Sequence, residues 1–119
     1  MGEVALPRVI GAYFAAAEDD DTDALVGCFA DDAVVFDEDQ TWQRRSQIRQ
    51  WRETVATKFD YTIEVRDVAP LGRTDDGSRF RVRTHLEGNF PGGIVGLDFG
   101  FVLRSDIIAR LEIAPARVD

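Results

Sequence analysis

The hydrophobic residues of the first half of the chain recur at intervals of three and four residues, which is typical of helices with one buried face. Three such helices are predicted. Their apolar faces consist of Val9, Ile10, Tyr13, Phe14 and Ala17, of Leu25, Val26 and Phe29, and of Ile48, Trp51, Val55 and Phe59. Between the second and third helices, the β-branched run over residues 33–37 predicts a short strand, and residues 37–40 predict a loop.

After residue 60 the pattern changes from helical to alternating. Hydrophobic and polar residues alternate in segments that begin near Tyr61, Phe80 and Leu97, and a last apolar segment covers residues 107–113. Turn-forming residues separate these segments. Short connections between successive strands favour antiparallel pairing, and helices on one side of such a sheet make an α+β domain. We expect a single domain over residues 1–119, because the sequence contains no repeat and no linker.

Charge and composition narrow the classes of function. The chain has 22 acidic and 14 basic residues, a net charge of −8, which disfavours binding to nucleic acid or anionic membranes because both require clustered Lys and Arg. No apolar stretch is long enough to span a membrane and no secretory signal is visible, so a cytoplasmic location is expected. With one Cys, one His and no acidic run spaced as a calcium loop, we expect no metal and no cofactor.

Five short sequence motifs, taken in their order along the chain, resemble those of a known family. They cover residues 13–17 (YFAAA), 23–33 (DALVGCFADDA), 45–51 (RSQIRQW), 88–92 (GNFPG) and 108–113 (IARLEI). In this order they resemble the nuclear transport factor 2-like superfamily, in particular its small bacterial SnoaL-like and ketosteroid-isomerase-like branch. The resemblance implies a cone-shaped fold, with a curved antiparallel sheet of five or six strands wrapped around three helices and a pocket inside the cone. It also implies a homodimer through the outer face of the sheet.

The same resemblance points to two catalytic residues. The string that ends at Asp37 is similar to the strand that carries the catalytic base in ketosteroid isomerase and in SnoaL-like cyclases. Tyr13 resembles the phenol that donates a hydrogen bond to the oxyanion formed in that isomerase. Both residues also have purely structural interpretations. Asp37 is followed by acidic residues that are typical of a solvated loop, and Tyr13 lies on the apolar face of its helix.

Asp98 and His85 match further catalytic groups of the superfamily only if strand alternation is broken. Asp98 aligns with a second carboxylic acid of ketosteroid isomerase, and His85 would supply the histidine that scytalone dehydratase pairs with an Asp. Alternation places both residues on the polar side of their strands, facing away from the core. A β-bulge would be needed to turn either of them inward.

A set of aromatic residues is available to line a pocket, although core packing would use them equally well. They are Phe14, Trp51, Phe59, Tyr61, Phe80 and Phe90. The sequence therefore predicts a small-molecule pocket protein for an apolar or aromatic ligand, as a cofactor-free isomerase or cyclase that removes a proton next to a carbonyl. A non-catalytic binder of such a ligand and a dimerisation module with a filled cone stay open. An inward Asp37 in a cavity above ~300 Å³ would favour the enzyme.

Overall fold

A computed structural model describes residues 6–37, 39–58, 60–89 and 92–116 of the chain. Two of the residues predicted to line the pocket, Phe59 and Phe90, lie outside these ranges. The elements are the helices α1 (Arg8–Glu18), α2 (Thr22–Val26) and α3 (Arg44–Lys58), and the strands β1 (Phe29–Asp37), β2 (Gln40–Gln43), β3 (Tyr61–Thr74), β4 (Gly77–Gly88), β5 (Ile94–Arg104) and β6 (Ile107–Pro115). No helix in the described ranges has both the length and the apolar character needed to cross a membrane.

The strands form one curved, open sheet in the order β2-β1-β6-β5-β4-β3. The prediction of an α+β, cone-shaped fold is confirmed. All neighbouring strands in the described sheet pair antiparallel except β1 and β6, which run parallel. This pair corrects the expectation of a wholly antiparallel sheet. Because β1 and β6 come from opposite halves of the chain, no short turn fixes their relative direction.

The stretch from residue 29 to residue 43 also differs from its prediction. β1 begins at Phe29, a residue that helical spacing assigns to the second helix. The predicted loop contributes to β2, which pairs with β1 and places Gln40 opposite Asp37. Asp39 makes the reversal possible with a positive φ of 64°, a conformation that Asp adopts more readily than most residues. The resulting hairpin fixes the position of the last residue of β1.

The predicted alternation holds in β4 and β5, where every second side chain is buried against the helices. The buried positions are Val82, Thr84 and Leu86 in β4 and Phe99, Phe101 and Leu103 in β5. The residues between them lie on the opposite side of the sheet. We call this side the outer face and represent it by Arg81, Arg83, His85 and Asp98, all of which are partly buried. The sheet thus separates an apolar interior from a charged exterior.

Helix α1 packs on the sheet through an aromatic cluster. The ring of Tyr13 makes edge-to-face contacts with Phe14, Phe29, Phe99 and Phe101, with centroid distances from 5.1 to 6.2 Å. Burial of one such side chain contributes about 1.5–3 kcal/mol. Edge-to-face pairing of aromatic rings adds about 0.5–1.5 kcal/mol per pair. These five residues, the aromatic cluster, fix the position of α1 against β1 and β5.

A close backbone contact sets where β3 begins. A Cβ atom at Gly88 would overlap the carbonyl oxygen of Asp60 and would come within 2.6 Å of the Cβ of Tyr61. Next to this contact, the backbone N–H of Asn89 donates to the carbonyl of Asp60 (3.1 Å), and the backbone N–H of Asp60 donates to Oδ1 of Asn89 (3.0 Å). The end of β4 therefore holds Tyr61 in place at the start of β3.

The contact at Gly88 predicts that Gly88→Ala destabilises the protein. The added methyl group must displace the backbone of residues 60–61, and such overpacking typically costs about 1–3 kcal/mol. Gly11→Ala is the matched control, because no atom lies within 4 Å of a Cβ at this position on α1 and Ala favours a helix over Gly by about 1 kcal/mol. Thermal melts should show a lower Tm for Gly88→Ala and an equal or higher Tm for Gly11→Ala. Equal melting of Gly88→Ala and wild type would contradict the prediction.

Candidate functional site

A cavity of about 870 Å³ lies between the helices and the sheet. Its size is within the range of ligand pockets, which runs from about 300 to 1,000 Å³. Most of its wall is apolar, with Val55, Ile63, Leu97 and Ile113 among the lining side chains. A few polar side chains interrupt this wall. These polar side chains include Tyr13, Asp37, Arg52 and Tyr61.

Asp37 and Trp51 meet at the cavity. Asp37 is the last residue of β1 and is partly buried, and Trp51 comes from the middle of α3 and is almost fully buried. The indole Nε1–H of Trp51 donates a hydrogen bond of 2.9 Å to Oδ2 of Asp37. This bond joins α3 to the end of β1 and orients the carboxylate at the cavity wall. Tyr13, Asp37 and Trp51 all line this cavity, whereas Phe59, which was expected to join them, lies outside the described residues.

Tyr13 combines a core position with access to the cavity. Its ring belongs to the aromatic cluster, and only 1% of the residue is exposed. Burial raises the pKa of Tyr13 well above its ordinary value, and the positive charge of Arg52 offsets only part of this effect. No hydrogen-bond partner of the hydroxyl is present among the residues that the structure describes. Tyr13 is therefore a neutral phenol at physiological pH, with a proton to donate.

Arg52 is a candidate site residue that the sequence pattern did not single out. It lines the cavity, only 5% of it is exposed, and its Nη1 donates to the hydroxyl of Tyr61 at 3.2 Å. Burial acts to lower the pKa of Arg52, but Tyr13, Tyr61 and Asp20 together outweigh this effect and the pKa lies above its ordinary value. The helical spacing could have indicated this position. Arg52 follows the buried Ile48 by four residues and therefore lies on the apolar face of α3.

The remaining predicted residues lie elsewhere. Phe14 belongs to the aromatic cluster, and Phe80 packs against the core without lining the cavity. Asp98 accepts two hydrogen bonds from Arg83 on the outer face, at 3.0 and 3.3 Å. His85 lies 3.0 Å from a carboxylate oxygen of Glu87.

The pairing of β4 with β5 explains why Asp98 and His85 face away from the cavity. The register is continuous from Ser78 to Glu87, so no bulge turns Asp98 or His85 inward. Neither residue lines the cavity. No group of three or more His, Cys, Asp or Glu side chains within the described ranges is arranged to hold a metal ion. The polar groups that line the cavity are carboxylates, phenols, the Trp51 indole, the Arg52 guanidinium, the Gln40 amide and the Thr41 hydroxyl.

The sequence profile of the SnoaL-like domain matches residues 10–110. The chain belongs to the SnoaL-like domain family. Together with structures of ketosteroid-isomerase-like and cyclase-like folds, this match confirms the predicted superfamily. No curated protein matches the sequence of this SnoaL-like protein.

Solved structures share the fold of this SnoaL-like protein. A Sinorhizobium meliloti protein, provisionally assigned as a polyketide cyclase, is 39% identical over 92% of this chain and 95% of its own, with a TM-score of 0.78. A Catenulispora acidiphila protein with a ketosteroid isomerase-like fold, solved with trimethylamine, is 18% identical over 94% and 88% (TM-score 0.79). SalBIII, an epoxide hydrolase/cyclase-like enzyme of pyran ring formation in salinomycin, is 20% identical over 91% and 88% (TM-score 0.74). The last two similarities concern the fold alone.

The raised pKa of Tyr13 predicts a specific alkaline behaviour. Above the ordinary value of 10.0, Tyr13 loses its proton in the unfolded chain but keeps it in the folded one. The free energy of unfolding therefore falls as the pH rises past 10. Tyr13→Phe removes this contribution, so its Tm should fall less than that of wild type between pH 9 and pH 11, as measured by circular dichroism. Equal losses for the two proteins would contradict the assignment.

Proposed function

We propose that this SnoaL-like protein is a small-molecule enzyme that removes a proton next to a carbonyl group, as an isomerase or a cyclase, with Asp37 as the general base. The observation that carries the proposal is the Asp37 carboxylate at the wall of a cavity of about 870 Å³, held by the Trp51 indole. A solvated loop carboxylate would have no such cavity beside it. Family membership and the cyclase assignment of the 39% identical protein support the same class of chemistry.

The reaction can be followed proton by proton. Asp37 takes a proton from the carbon next to the carbonyl, and the C–H electron pair moves to make an enolate whose charge lies on the carbonyl oxygen. The Tyr13 hydroxyl donates a hydrogen bond to that oxygen, where the charge develops. In an isomerase, Asp37 then returns the proton to another carbon. In a cyclase, the enolate carbon attacks a second carbonyl of the same molecule and closes a ring. The π electrons of that second C=O bond move to its oxygen, and the resulting alkoxide takes the proton back from Asp37.

The site supports this chemistry in two further ways. The carbonyl itself accepts the electron pair, so the proposed step requires no cofactor. Trp51 fixes the orientation of the base before the substrate arrives, which lowers the cost of reaching the reactive geometry. A dimerisation module with a filled cone does not fit a cavity of this size, whereas a non-catalytic binder of an apolar ligand remains the alternative that an experiment must separate.

Deuterium exchange tests the role of Asp37. We expect wild type to accelerate incorporation of deuterium from D₂O next to the carbonyl of 2-tetralone and related aryl ketones, followed by NMR. Asp37→Asn should reduce the rate by about 100-fold or more, the typical contribution of a positioned base. Its Tm at pH 7 should equal or exceed that of wild type, because the Asn oxygen still accepts the Trp51 hydrogen bond and carries no charge.

Asp39→Asn is the matched control. Asp39 also lines the cavity but is exposed, and Asn tolerates its positive φ, so the exchange rate should be retained. Undiminished exchange in Asp37→Asn would remove Asp37 from the mechanism. Binding of the ketones by wild type without any exchange would identify the non-catalytic binder instead.

We also propose that two chains form a homodimer through the outer face. The charged residues Arg81, Arg83 and Asp98 are partly buried even in a single chain, and Nε of Arg81 is buried without a hydrogen-bond partner among the described residues. A facing copy would bring carboxylates to the parts of these arginines that are still exposed. A two-fold contact of this kind closes on itself and is the commonest form of assembly.

Light scattering tests the dimer. The expected mass at micromolar concentration is twice the 13.3 kDa of one chain. Arg81→Glu should shift the protein toward the monomer, because it places a negative charge where the proposed contact pairs an arginine with carboxylates of the facing copy. Arg8→Glu makes the same change of charge at an exposed position on α1 and should leave the mass unchanged. A wild-type mass of one chain would refute the proposal.

A further inference from the structure

Arg52 differs from the ion-paired arginines because it is buried and has no carboxylate partner among the described residues. Six arginines form ion pairs with Asp or Glu, and their side chains are 37–54% exposed. Arg52 is only 5% exposed and forms no ion pair with any residue the structure describes. Asp20 influences it only from beyond ion-pair distance. Arg52 is thus more deeply buried than any of these ion-paired arginines, yet it has no carboxylate partner among the described residues.

A buried charge without a partner is costly, and proteins normally pair such groups. A guanidinium cannot escape the cost by losing its proton, because Arg stays protonated in proteins. In this protein the guanidinium borders the cavity, and it is the one cationic group among the described lining residues. The missing negative partner is thus expected where a ligand would sit.

We infer that Arg52, together with the hydroxyl of Tyr61, binds an anionic oxygen group of the ligand, so that the site selects small apolar molecules that carry a carboxylate or an equivalent anionic oxygen. The inference rests on the proposed function in taking the cavity as the ligand site. Only Nη1 of Arg52 donates a hydrogen bond within the described residues, to Tyr61. The guanidinium carbon also lies over the Trp51 ring, 5.5 Å from its centroid, a contact that satisfies none of the N–H groups. The rest of the guanidinium fork matches the two oxygens of a carboxylate. The Tyr61 hydroxyl accepts from Arg52 and has its own proton to donate to the same anion.

The charged residues that line the cavity also favour one orientation of the bound ligand. Three other lining residues, Asp37, Asp39 and Glu112, are acidic and repel an anion. The anionic end of a ligand is therefore favoured only at Arg52. An apolar body would then lie against side chains such as Val55 and Leu97, and the remaining part of the molecule would face Asp37. Trp51 and Arg52 are consecutive in α3, so one turn of helix positions both ends of the site.

Calorimetry with 2-naphthoate and its methyl ester tests the inference, because the two probes differ mainly in charge. Wild type at pH 7.5 and low salt should bind 2-naphthoate about tenfold or more tightly than the ester, as expected for hydrogen bonds to a charged group. Arg52→Gln should lose this preference through weaker binding of 2-naphthoate, with binding of the ester unchanged. Arg52→Lys, which keeps the charge, should retain part of the preference. Arg49→Gln, one turn earlier in α3 and paired with Asp23, should bind both probes like wild type.

The outcomes separate this inference from the proposed function. The Arg52 inference would be overturned if wild type bound the ester as tightly as 2-naphthoate or more tightly. It would also be overturned if Arg52→Gln lost affinity for both probes equally. Asp37→Asn should bind 2-naphthoate at least as well as wild type, since it removes a like charge. If Asp37→Asn keeps full deuterium exchange, the proposed base is wrong while the Arg52 result stands. If Arg52→Gln does not fold, the salt dependence of binding to wild type provides the test. Rising NaCl must then weaken the binding of 2-naphthoate but not the binding of the ester.

Discussion

The position of Tyr13 between the core and the cavity is the constraint on which the site depends. Its ring is packed by the four phenylalanines of the aromatic cluster, and Tyr13 and Phe99 also form part of the cavity wall. The cluster therefore ends where the cavity begins. A dense aromatic core holds α1 firmly, so the space beside it stays open, and the same packing presents a neutral phenol to any molecule that enters.

Helix α3 supplies the other half of the site and is tied down near its start. Nε of Arg45 donates to the carbonyl of Phe29 at 2.9 Å, and its guanidinium pairs with Asp31 at 3.0 Å. Both contacts join α3 to β1, the strand that ends in Asp37. The rotation of α3 about its axis is thereby fixed relative to the carboxylate. Trp51 and Arg52 then reach the cavity with unlike chemistry from adjacent positions.

Local periodicity predicted most of the fold, since burial of one helix face and of alternate strand residues leaves its mark on the sequence. It predicted the outward position of Asp98 for the same reason. The parallel pairing of β1 with β6 and the extra strand β2 depend on contacts between distant segments, which no local pattern records. Asp37 and Tyr13 were found through a family resemblance. Arg52 was missed because the hydrophobic pattern treats a charged residue on an apolar helix face as an irregularity. Only the cavity beside it shows why a charge stands at this position.

The parallel contact between β1 and β6 has a consequence for synthesis on the ribosome. β1 lies between β2 and β6 in the sheet, and β2 follows it directly along the chain. The nascent polypeptide can therefore pair one side of β1 early, while the other side waits until α3, β3, β4, β5 and β6 have been made. Until β6 emerges, an apolar strand presents unsatisfied backbone groups, which is the condition that favours aggregation and calls for chaperones. Within this sheet, the strand that is made last is the one that completes the pairing of the first.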